Sequence, residues 1–123
     1  FLNNKILHLR QYLLNLFENN KYIELTGDIE IRLPNHLSFI LFNKNHLPIK
    51  AYKVVNYMSD NNIAISSGSA CSSYSKKPSK VLSKIGLEES KLYSNIRLSF
   101  GEKNSINEID KFYKLLLECI ECF

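Results

Sequence analysis

A single α+β domain, a small antiparallel or mixed sheet covered by helices, is the fold that the sequence predicts. Three observations carry that expectation. The two ends of the chain place apolar residues at helical spacing, the middle holds short runs that alternate like strands, and the two kinds of segment are mixed in the order α-β-β-α-β-loop-α-β-α. At 123 residues the chain suits one hydrophobic core rather than two.

The elements follow in order. Leu2, Ile6, Leu9, Leu13 and Leu16 fall on one stripe of an opening helix that Asn19 and Asn20 close. "YIEL" is a short strand before Gly27, and the apolar run from Leu37 to Phe42 is a second, after the Pro34-Asn35 break. Pro48 suits the first turn of a helix with Ala51, Val54, Val55 and Met58 inside and Asn61-Asn62 at its end. "IAIS" reads as a buried strand entering a serine-rich loop, and Pro78 opens a short helix, "PSKVLSKI", that stops at Gly86. In "SNIRLSF", Ile96, Leu98 and Phe100 point one way and Asn95, Arg97 and Ser99 the other. Ser105 and Glu108 form a capping box for a last helix, whose buried stripe is Ile106, Ile109, Tyr113, Leu116 and Ile120.

Composition narrows the function classes. The net charge of +4 comes from lysines scattered among acids, and "SKKPSK" is the nearest approach to a basic patch, so no direct nucleic-acid contact is expected. No apolar run approaches the ~20 residues of a membrane span. Three cysteines leave at least one thiol without an intramolecular partner, which favours a reducing, cytoplasmic setting. The chain begins at Phe1 and has its only methionine at Met58, so it reads as part of something longer, entered partway into a helix.

Two residues stand out chemically. Cys71 sits inside "SSGSACSSYS", too polar for a core, where small residues permit loop motion and a thiolate could reach a substrate bound elsewhere. The alternative is a surface loop with an incidental cysteine; a phosphate-binding nest lacks the spacing of the known glycine motifs. Arg97 lies on the polar face of a strand, where its fork of donors suits bidentate capture of a carboxylate; the alternative is a structural ion pair. Cys119 and Cys122 have CxxC spacing, half of a zinc site and outside a thioredoxin-like setting, so packing or exposure at a helix end explains them and no metal site is expected. His8, His36 and His46 stand apart from acidic or cysteine partners in sequence and receive no role.

Taken together, "RLPNHLSF", "IAISSGSACSS", "PSKVLSKIGL" and "SNIRLSFG" have the order and approximate spacing of a known family. The chain resembles the C-terminal part of cysteine desulfurases, pyridoxal-phosphate (PLP) enzymes of the class V aminotransferase family, over nearly its whole length. "SSGSAC" is similar to the loop of the longer-loop desulfurases. The resemblance implies that residues 1–123 are the small C-terminal domain of a fold type I PLP enzyme, with a mobile catalytic loop at about 66–77. It also implies that Cys71 takes sulfur from L-cysteine as a persulfide, leaving L-alanine, and that Arg97 binds the substrate α-carboxylate. PLP belongs to the full-length homodimer, and the sulfur acceptor to a protein such as an iron–sulfur scaffold or a transfer-RNA thiolation protein. The family's PLP lysine, pyridine-facing aspartate and ring-stacking aromatic have no counterpart here, so this chain alone is expected neither to bind PLP nor to turn over cysteine. Lys80 and Glu102 depart from the family's frequent histidine and arginine, a difference that bears on subtype and partner. Another class V lyase, such as a selenocysteine lyase, and a non-enzymatic sulfur carrier or interaction module are the competing readings.

Overall fold

The computed structural model describes residues 4–26, 36–61, 66–67, 93–101 and 103–123. The elements are α1 (Asn4–Glu18), β1 (Ile23–Leu25), β2 (His36–Leu41), α2 (Ala51–Asp60), β3 (Ser66–Ser67), β4 (Asn95–Ser99) and α3 (Ile106–Cys122). The strands form one sheet in the order β1-β2-β4-β3, and every pairing is antiparallel. The α+β expectation is met, with the antiparallel alternative selected.

Alternation along the two central strands decides which face is covered. Leu37, Phe39 and Leu41 of β2 and Ile96 of β4 point to one side and are buried in the main core. Helices α1, α2 and α3 supply the other wall, through Leu9, Leu13 and Phe17, through Ala51, Val54 and Met58, and through Ile109, Phe112 and Leu116. Phe39 lies at the centre of this layer. Its ring meets Phe17 edge-on at 5.0 Å and Phe112 at 6.4 Å between centroids. Tyr12 donates to Asp110 Oδ1 at 2.6 Å, and Tyr57 donates to Glu118, so α3 is tied to both other helices at the rim of the core.

Several local expectations are met in detail. Leu9 and Leu13 of the predicted α1 stripe are buried, with Ile6 and Leu16 half-buried beside them. Ser105 caps α3, its Oγ accepting from the Glu108 amide at 3.3 Å. The return bond of a full capping box is not made, because the Glu108 carboxylate instead accepts from the Ser105 hydroxyl at 3.3 Å.

Other expectations need correction. Pro48 does not open α2: it forms an isolated antiparallel bridge with Phe42, and the Ile49 amide donates to Leu41 O at 2.8 Å. Lacking an N–H, proline fits such a sheet-edge position, and the chain turns into the helix only after Lys50. Val55 is half-buried rather than part of the inner face. The buried face of α3 is wider than one stripe and includes Phe112, Leu115 and Cys119, because the helix touches two helices and the sheet at once. Ser66, the last residue of the predicted strand "IAIS", is in a strand paired with β4, which runs one residue further than expected, to Ser67; residues 63–65 of that prediction lie outside the described residues. The predicted helix at 78–86 lies outside the described residues.

Replacing Phe39 by alanine removes the ring that α1 and α3 share. The Phe39→Ala variant is expected to lose about 3–5 kcal/mol of unfolding free energy in urea titrations, against about 1 kcal/mol for Ser105→Ala, which loses only a cap.

Candidate functional site

The face of the sheet turned away from the helices carries the polar side chains. In β4 the sequence Asn-Ile-Arg-Leu-Ser sends Ile96 into the core and Asn95, Arg97 and Ser99 to the opposite side. Arg97 is exposed, and no hydrogen bond or ion pair from another described residue reaches its guanidinium. The structural ion pair considered for it is therefore absent among the described residues. Its backbone is nonetheless held on both sides, with Ser38 as its register partner in β2 and Ser66 as its register partner in β3.

That register brings together two parts of the sequence that matter. Cross-strand neighbours lie roughly 5 Å apart at Cα, so the chain leaves β3 for residues 68 onward directly beside Arg97. Cys71 itself lies outside the described residues.

Beside Arg97 the same face holds a buried polar cluster, with Ser38 in its row and Asn95 in the next. Asn95 is 2% exposed and Thr26 4% exposed, while Ser38 is half-buried. Thr26 Oγ1 donates to Asn95 Oδ1 at 2.5 Å, and Asn95 Nδ2 donates to Ser38 Oγ at 2.8 Å. The two hydroxyl oxygens are 2.8 Å apart, and Ser38 Oγ also lies 3.1 Å from Asn95 Oδ1. The Thr26 amide extends β1 by donating to Ser38 O at 3.0 Å. No sequence reading singled out this cluster; the one available signal was a set of short polar residues on strand positions.

The remaining candidates have structural explanations. Cys119 is buried and Cys122 exposed at the end of α3, and among the described residues no group of three His, Cys, Asp or Glu side chains could hold a metal ion. His36 accepts from Arg10 Nε through its backbone oxygen at 3.3 Å. His46 stacks on Tyr22 at 5.1 Å within the turn that Asn43 organises. No helix among the described residues is long and apolar enough to cross a membrane.

The sequence pattern of the aminotransferase class-V family matches residues 2–112, and the chain belongs to that family. Within it, the chain is 37% identical over 114 residues to the cysteine desulfurase IscS of Ruthia magnifica subsp. Calyptogena magnifica, covering 93% of this chain and 26% of that protein. It is 34% identical over 116 residues to the cysteine desulfurase IscS of Aeromonas hydrophila subsp. hydrophila, covering 94% and 27%. Among solved structures, the NifS-like protein of Rickettsia africae superposes with a TM-score of 0.74 at 24% identity, over 93% of this chain and 28% of that one. A second NifS-like protein matches with a TM-score of 0.72 at 25% identity, over 94% and 27%. The chain thus spans about a quarter of the length of the relatives it matches.

The two described thiols differ sharply in environment. Burial pushes the Cys119 thiol up to about 12, with Cys122 and Glu118 adding in the same direction, and the hydrogen bond to Glu118 pushes Tyr57 up to about 12. Both values lie above the ordinary 9.0 and 10.0, so the folded state holds more protons than the unfolded state in that range. Stability is expected to be full below about pH 9 and to fall as pH rises toward about 12. Denaturant titrations across that range check this, with Tyr57→Phe flattening the decline. At pH 8, iodoacetamide should label Cys122 and spare Cys119 until the chain unfolds, as read by mass spectrometry of the C-terminal peptide.

Proposed function

We propose that this chain is the sulfur-accepting and substrate-anchoring part of a PLP-dependent cysteine desulfurase. The observation that supports it most is the pairing of Ser66 with Arg97. Cys71 follows Ser67 by four residues, a stretch that reaches at most roughly 14 Å, so a thiol on that segment is tethered close to an arginine whose fork has no partner among the described residues. The names of the relatives, cysteine desulfurase in each case, supply the substrate class.

On this reading, Arg97 receives the α-carboxylate of L-cysteine in a bidentate pair, held by a paired central strand rather than by a loop. The Cys71 thiolate forms a bond to the substrate sulfur, and the substrate Cβ–S bond breaks with its electron pair going to carbon. Protonation of that carbon yields L-alanine, while the sulfur stays on Cys71 as a persulfide for an acceptor protein such as an iron–sulfur scaffold. PLP, when bound, supplies the electron sink that makes this bond labile. On this reading the Schiff-base lysine is supplied by the rest of the full-length protein; each described lysine is solvent-exposed.

The test uses the full-length protein that contains this chain. Cys71→Ser is expected to retain PLP absorbance and lose alanine release from cysteine, and a fully active variant would overturn the nucleophile assignment. Arg97→Lys is expected to raise the KM for cysteine roughly tenfold or more, because an ammonium cannot replace a charge-assisted bidentate pair. An unchanged KM would overturn the anchor.

A further inference from the structure

We infer that Asn95 is a positioning residue for Arg97, acting through the buried hydrogen-bonded ring that it forms with Thr26 and Ser38. The inference rests on the desulfurase reading and names a determinant of cysteine binding within it.

Three observations lead to it. The ring grips two neighbours of Arg97 on its own face: Ser38 is its register partner across β2, and Asn95 precedes it by two positions along β4. Through Thr26 the ring also fixes the end of β1, so three strands are clamped at the row where Arg97 emerges. Among the described residues the guanidinium has no hydrogen-bond partner, so the support they give it comes through the backbone beneath it.

Proton accounting adds a second role. Each hydroxyl has one proton to give, and Asn95 Oδ1 can accept from both, from Thr26 at 2.5 Å and from Ser38 at 3.1 Å, while Asn95 Nδ2 donates to Ser38 Oγ. Asn95 Oδ1 lies within reach of both hydroxyls, so the strongest neutral acceptor next to Arg97 on this face is already engaged. A free amide or carboxylate oxygen at that position would draw the guanidinium down onto the sheet. With the oxygen engaged, the fork stays open for the carboxylate of a substrate.

The experiment is a double-mutant cycle on the full-length, PLP-loaded protein. Asn95→Leu keeps the bulk and removes the amide; Ser38→Ala removes one ring member at a half-buried position and serves if the leucine variant does not fold. Either is expected to raise the KM for L-cysteine roughly tenfold while kcat changes less than about twofold, with the PLP spectrum unchanged. In an Arg97→Ala background the same substitutions are expected to add nothing further to KM, since the group they position is gone. A KM unchanged by both substitutions, or effects that simply add in the double variants, would overturn the positioning role while leaving the desulfurase reading intact. A wild-type protein that releases no alanine from cysteine would overturn that reading and this inference together.

Discussion

The antiparallel register between β2 and β4 is the constraint on which the rest of the molecule depends. It pairs Phe39 with Ile96 and Ser38 with Arg97. Because side chains alternate with a period of two, the first pair faces the helices and the second faces away. A slip of one residue would drive the Arg97 guanidinium and the Asn95 amide into a layer of phenylalanine and leucine, where an unpaired charge is far costlier than an exposed methyl group. The apolar packing around Phe39 therefore holds more than the core. By selecting the register it selects which face carries the arginine, so the large energy of burial fixes the geometry of groups that contribute little to stability.

The two faces divide the work accordingly. On the helical side, shape complementarity dominates, and the polar ties run along the rim: Tyr12 to Asp110, Tyr57 to Glu118 and Lys44 to Glu121. Exposed ties of this kind add little stability, but they orient α3, whose apolar face must serve α1, α2 and the sheet together. On the other side, among the described residues, the buried polar groups satisfy one another. Thr26, Ser38 and Asn95 spend their hydrogen-bonding capacity on one another, which makes their burial tolerable and leaves Arg97 as the exposed cation beside them.

What the sequence made legible follows from the range of the interactions involved. The alternation of Asn95 to Ser99, the α1 positions Leu9 and Leu13 and the Ser105 cap are set by residues within a few positions of one another, and each appears as predicted. Pro48 was misleading because local preference allows it both in a first helical turn and at a sheet edge, and the choice is made by Phe42 across the turn. Phe112, Leu115 and Cys119 were missed because the width of a helix's buried face depends on how many neighbours it has, which periodicity does not encode. The ring was invisible for the same reason in stronger form: its contacts join positions 12, 57 and 69 residues apart. Arg97 was found as a candidate from one strand's alternation, whereas its nearness to Ser66 needed the strand order.

That strand order bears on how the proposed chemistry would be organised. The two-residue β3, which precedes Cys71 in sequence, closes onto the edge of β4 at Arg97. On the proposed reading, a nucleophile tethered at that edge by a short stretch of chain would stay at high local concentration near the anchored carboxylate. A thiol placed on β4 itself would have the proximity but could not carry sulfur outward to an acceptor; one on a long free segment would have the range but meet the substrate rarely. Rigid anchoring of the carboxylate and short tethering of the thiol are thus complementary demands of the proposed chemistry, and one antiparallel pairing would serve both.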